Sequence, residues 1–78
     1  MDLSPAPRLT PREQMVLALL AEGLTARAIA RRLGISHRTI GKHQENLYRK
    51  LDSSDRLTAV LRGQALGLVT FPFPMRRL

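Results

Sequence analysis

TARAIARRLGISHRTI, residues 25–40, reads as two helices meeting at a tight turn. Thr25 is placed to cap the first of them, whose inner face is Ile29, Ala30 and Leu33, and Gly34 stops it after barely two turns. Ser36 then caps the next. Three positions test whether the helices pack as a helix-turn-helix. Ala30 is small, as a close approach of two helix backbones demands. Gly34, four residues on, can take the positive φ of the turn. Ile40, six residues later, anchors the following helix in a core. Two helices joined by Gly34, Ile35 and Ser36 alone satisfy that motif.

The flanking sequence supplies two more helices. Thr10-Pro11-Arg12-Glu13 has the form of a full capping box: Thr10 caps, Pro11 takes the first helical position and Glu13 bonds back to the Thr10 amide. Val16, Leu17, Leu19 and Leu20 follow as a wide apolar stripe, and Gly23 ends the helix. Downstream, the helix opened by Ser36 runs with Ile40, Leu47 and Leu51 along one face. Asp55, with Ser54 as the other candidate cap, opens a last helix whose apolar residues are Leu57, Ala59, Val60, Leu61, Ala65 and Leu66. No strand-like alternation competes. The expected fold is therefore all-α, a compact four-helix domain with helices over about 11–22, 26–33, 37–51 and 56–66. Residues 9–69 form the domain. Residues 1–8 read as a flexible tail or linker end, and 70–78 as a C-terminal tail with Pro72, Pro74, Arg76 and Arg77.

Composition narrows the function. A chain of 78 residues affords one small core and no large enzyme pocket, and 44% hydrophobic against 24% charged residues is a globular balance. Without cysteine there is no disulfide framework, thiol nucleophile or Cys-ligated zinc. No apolar run approaches the roughly 20 residues of a spanning helix, and MDLSPAPRLT has no hydrophobic signal core. A cytoplasmic protein is expected. The Pro-containing N-terminus fits a stand-alone protein or an excised C-terminal domain, with a slight preference for excision.

Catalysis and metal binding find no inventory. His37 and His43 lie six residues apart, about 600° around a helix and so on different faces, and the carboxylates are scattered. There is no Gly-rich phosphate loop and no nucleophile beside a base. The protein is expected not to be an enzyme, with no cofactor and no metal.

Charge gives the positive clue. Lys and Arg number 13 against 6 Asp and Glu, a net +7, and polyanions are the natural partners of such a chain. Residues 25–50 hold Arg27, Arg31, Arg32, Arg38, Lys42, Arg49 and Lys50 against Glu45 alone, so +6 of that excess falls in one third of the chain. A DNA major groove about 12 Å wide admits one α-helix, and in a helix-turn-helix the second helix enters it with its N-terminal half toward the base edges. With Ile40, Leu47 and Leu51 inward, the outward set is His37, Arg38, Gly41, Lys42, Glu45 and Arg49. Lys42 and Glu45 are the leading base-reading candidates, with Gly41 and Arg38 beside them: a lysine donates to guanine O6 or N7, and a glutamate accepts from the cytosine amino group. Glu45 can equally pair with Arg49 at i, i+4. Thr25, Ser36, Thr39 and Arg38 stand near helix N-termini, where free amides and the dipole favour phosphate, although Thr25 and Ser36 are caps in any case. Arg27, Arg31 and Arg32 either line the DNA backbone or simply solvate a short helix.

Leu9-Thr-Pro-Arg-Glu13, Glu22-Gly-Leu-Thr25, Ile29-Ala-Arg-Arg-Leu33, Ser36, Thr39-Ile40, His43, Lys50-Leu51 and Ala59-Val60 resemble the LuxR-type helix-turn-helix domain of bacterial transcription regulators, over roughly residues 9–69. The resemblance implies a DNA-binding domain, usually C-terminal to a sensor or phosphoacceptor domain as in a response regulator, that regulates transcription by binding two-fold related half-sites of double-stranded DNA as a homodimer. RNA polymerase is a further candidate partner. Backbone contacts are implied for Thr25, Arg27, Ser36, Thr39, His43, Arg49 and Lys50, with His43 packed and hydrogen-bonded near the backbone. The last helix often supplies the dimer contact, which points to Leu57 and Leu61, with Gln64 extending the strip. Two positions depart from the family. Gly41 stands where relatives commonly have a lysine, so that either the helix bends there or its backbone approaches DNA closely, and Glu45 stands where a base-reading or cationic residue is frequent.

The rival from another class is a protein-interaction module whose basic face meets an acidic partner, DNA binding being weak or lost. The small hydroxyl residues at both helix N-termini serve phosphates better than a protein surface. A sigma-factor region uses a similar motif, but Glu22-Gly-Leu-Thr25 and the Ala59-Val60 helix favour the regulator. A membrane role lacks aromatic anchors on the basic helices.

Overall fold

The computed structural model describes residues 7–69, in which four helices follow in order: α1 Pro11–Ala21, α2 Ala26–Leu33, α3 His37–Lys50 and α4 Arg56–Ala65. The N-terminal tail up to residue 6 and the C-terminal tail from residue 70 lie outside the described residues. No strand occurs among the described residues.

Each start follows from local chemistry. The Glu13 amide donates to Thr10 Oγ1 at 3.1 Å while the Thr10 amide donates to Glu13 Oε1 at 3.0 Å, closing the reciprocal box. Thr25 accepts from the Ala28 amide and Ser36 from the Thr39 amide. Asp55, not Ser54, caps α4: Oδ1 accepts from the Thr58 amide at 2.8 Å and Oδ2 from the Thr58 hydroxyl at 3.1 Å. The ends of α1, α3 and α4 fall one residue short of expectation, because Glu22, Leu51 and Leu66 are terminal caps that close the last turn through their own amides.

Gly34 makes the decisive turn. Its φ of 69° and ψ of 32° are left-handed, and the Ile35 amide then reaches back to the Ala30 carbonyl at 3.0 Å, satisfying a terminal acceptor of α2.

The core is built on α1 and α3, each of which packs against the three other helices. Val16, Leu17 and Leu20 meet Ile29 of α2, Ile40 and Leu47 of α3, Leu51 at its C-terminal cap and Ala59 of α4, all buried. Ala30 is buried as its small size required.

Helix α4 departs from its expected pattern. Of its apolar residues only Ala59 is buried and Val60 is half-buried, while Leu57, Leu61, Ala65 and Leu66 are exposed. The contact is made instead by a residue with no side chain: a Cβ on Gly63 would lie 2.9 Å from Leu17 Cδ2. Small residues bring the α4 backbone down onto α1, and the leucines on the opposite side are left outward.

Candidate nucleic-acid interface

Helix α3 separates its two faces cleanly. At about 100° per residue, Arg38, Lys42, Glu45 and Arg49 fall within about 40° of the line opposite Ile40, while Leu47 and Leu51 fall beside Ile40. All four outward side chains are exposed and the three inward ones buried. Burial of the apolar row thus fixes the helix rotation, and that rotation presents the charged row to solvent.

Gly41 lies beside this row, in an open depression lined by Arg38, Thr39, Lys42 and Glu45. Nothing stands within 4 Å of where its Cβ would be. The helix runs unbroken from His37 to Lys50, so glycine at 41 leaves a stretch of backbone uncovered on the outward side without ending the helix.

At the N-terminus of α3 the Ser36 hydroxyl donates to Thr39 Oγ1 at 2.9 Å while accepting from the Thr39 amide at 3.0 Å. Both residues are exposed, as is the Thr25 cap of α2. Arg27 and Arg31 share the side of α2 opposite Ile29 and are exposed, whereas Arg32 turns to the flank beside Met15 and Leu19.

Two residues stand apart from this exposed set. Lys50 lies on the flank of α3 with its Nζ 2.7 Å from Glu13 Oε1; its side chain is 30% exposed and that of Glu13 only 4%. Its ammonium is therefore directed to a buried carboxylate instead of the outward row, because a charge withdrawn from water requires a partner. Burial pushes the Glu13 carboxyl up, but the hydrogen bond from Lys50, the Thr10 amide and the Lys50 charge together outweigh it and hold it below its ordinary value. His43 is half-buried at the edge of the packed face, and its ring makes no hydrogen bond among the described residues, where one was expected. The Glu45–Arg49 pair is also not formed: the one ion pair among the described residues is Lys50–Glu13.

On α4, Leu57 is 67% and Leu61 51% exposed, one turn apart on the side opposite Ala59. Gln64 continues that line but is half-buried, with Nε2 covered and without a hydrogen-bond partner among the described residues.

Sequence reasoning placed Glu13 only in its capping box; its second bond, to a residue 37 positions away, has no local signal. Arg56, which donates to the Leu24 carbonyl, and Gln14, which donates to the Leu68 carbonyl, were likewise not singled out. Both tie chain segments across the fold. No described helix is long and apolar enough to cross a membrane.

The model of the luxR family of bacterial regulatory proteins matches residues 7–62. A probable transcriptional regulatory protein, SgaR of Hyphomicrobium methylovorum, is 50% identical over 56 residues, 72% of this chain and 26% of SgaR. Among solved structures, the transcription factor GerE superposes with a TM-score of 0.74 at 34% identity, covering 80% of this chain and 92% of GerE. ChrA, a response regulator of a heme-sensing two-component system, gives 0.77 at 32% identity over 83% of this chain and 32% of ChrA. The chain spans about a quarter of the length of the curated relatives it matches. Match, superposition and helix-turn-helix geometry agree: the chain belongs to the luxR family of bacterial regulatory proteins and is a helix-turn-helix domain of the DNA-binding kind that family uses in transcription regulation.

Proposed function

We propose that the domain binds double-stranded DNA sequence-specifically in the cytoplasm, with α3 in the major groove, and that two copies pair on two-fold related half-sites through α4. One observation carries this reading. Arg38, Lys42, Glu45 and Arg49 form a single exposed row opposite the buried face of α3, with no ion pair among them.

In this reading Lys42 and Glu45 reach base edges, Arg38 stands at the entry to the groove, and Gly41 lets the helix backbone approach the DNA. Thr25, Arg27, Ser36, Thr39, His43 and Arg49 set the register on phosphates. Lys50, implied by the family resemblance as a backbone contact, is paired with Glu13 and adds no net charge to the outward row. Leu57 and Leu61, with Gln64 at the end of their line, form the contact between copies. So small an apolar strip supports little affinity by itself, so the isolated domain is mainly monomeric and pairs on DNA. RNA polymerase is a further partner in this reading.

Fluorescence anisotropy of a labelled random duplex, titrated at several salt concentrations and followed by selection of tight binders, tests the reading. Steep loss of affinity with salt and enrichment of a palindromic motif are expected. Undetectable binding at low salt would reject it in favour of an acidic protein partner.

A further inference from the structure

Where α3 ends, its outward row does not stop at Arg49. The chain turns through Asp52, whose φ is 51°, and α4 begins behind it. Between the two helices lies an open depression of about 440 Å³ lined by Tyr48, Arg49, Asp52, Ser53, Ser54, Thr58 and Arg62. It joins the last cation of the α3 row to a cation of α4.

We propose that this depression holds a DNA backbone phosphate, with Arg62 the second cation beside Arg49 and the Ser54 hydroxyl as a further donor. This rests on the DNA-binding reading of α3. The length of that helix supports the site. Fourteen residues at about 1.5 Å each extend about 21 Å, whereas the major groove is about 12 Å wide. A helix that puts its N-terminal half against base edges therefore carries its C-terminal end to the sugar-phosphate wall, and Arg49 and Arg62 are what it presents there.

The charges in the depression are uncommitted. Arg49 and Arg62 are exposed, and neither forms an ion pair among the described residues even though Asp52 lines the same space. Ser53 and Thr58 are excluded as donors, because their hydroxyls already donate to the Tyr48 carbonyl and to Asp55. Two guanidinium forks against one carboxylate leave a net positive site suited to a phosphodiester. At about 100° per residue Arg62 lies about 120° around α4 from the middle of the Leu57–Leu61 line, so the phosphate contact and the contact between copies use different faces of the same helix.

The test compares the full chain with Arg62→Ala and Arg62→Lys on the selected duplex and on a random one. Arg62→Ala should lower affinity on both duplexes alike and reduce the slope of log K against log salt by about 0.9, so that the difference between variant and unaltered protein narrows about threefold between 50 and 200 mM salt. Arg62→Lys should restore the slope, and Asp52→Asn should tighten binding. A duplex with one neutral methylphosphonate at the contacted position should weaken the unaltered protein but leave Arg62→Ala unchanged. An unchanged slope in Arg62→Ala, with thermal melting showing the variant folded, would overturn the proposal while the groove reading stands. Loss confined to two-half-site duplexes would also overturn it, assigning Arg62 to the contact between copies. If the unaltered protein binds no duplex at low salt, both readings fall together.

Discussion

The Nζ of Lys50 lies 2.7 Å from Oε1 of Glu13, joining the last turn of α3 to the first turn of α1. The same Oε1 accepts from the Thr10 amide, so one carboxylate oxygen closes the capping box and anchors the end of α3. Because Glu13 is 3% exposed, the pair is a structural fastening whose loss is felt in the fold.

Lys50→Ala is expected to destabilise the domain by about 2 kcal/mol, below the 3–5 of a wholly buried pair because Lys50 keeps access to water. Glu13→Gln, which retains an acceptor for the Thr10 amide and removes the charge that needs a partner, should cost less. Denaturant melts that show Lys50→Ala as stable as the unaltered chain would refute this role.

The depressed carboxyls set the acid response. Glu13 is lowered by the hydrogen bond and charge of Lys50 and by the Thr10 amide against the opposing effect of burial, and Asp55 chiefly by the amide of Thr58 and then its hydroxyl. A group that binds its proton more weakly folded than unfolded stabilises the fold above its unfolded value, and that contribution is lost as pH falls through the folded value. Melting temperature should therefore hold steady near neutrality and fall below the ordinary carboxylate range. Glu13→Gln should flatten that fall, as measured by circular dichroism from pH 7 to 2.

Two glycines should respond in opposite directions. Gly63→Ala puts a methyl 2.9 Å from buried Leu17 and should cost about 1–3 kcal/mol. Gly41→Ala meets nothing within 4 Å and replaces a glycine inside a helix, so it should stabilise by about 1 kcal/mol. If the bare backbone at 41 lies against DNA, the same variant binds its selected duplex more weakly in anisotropy titrations despite its higher melting point.

Lys42→Ala should lose about 1–3 kcal/mol at one preferred base step in a competition series over single-base variants. A uniform loss over all sequences would make Lys42 a phosphate contact.

Leu61→Arg should weaken binding to a duplex carrying two half-sites while leaving a single half-site nearly unaffected. Equal loss on both would exclude α4 as the contact between copies, and a tight dimer at micromolar concentration in sedimentation without DNA would contradict pairing on the duplex.

The helices were legible in the sequence because their signals are short-range. Thr10, Thr25, Ser36 and Asp55 each bond an amide three residues on, and Gly34 adopts the left-handed turn that its lack of a Cβ permits. The charged row of α3 was equally legible, since burying Ile40, Leu47 and Leu51 leaves Arg38, Lys42, Glu45 and Arg49 only the opposite side. Tertiary structure alone decided that Lys50 serves Glu13, that Gly63 and not a leucine seats α4 on α1, and that Arg49 and Arg62 share one depression. The physical reason is range: caps and helical periodicity act over a few residues, whereas a buried carboxylate, a close backbone approach and a cleft between helices exist only once segments distant in the chain have packed together.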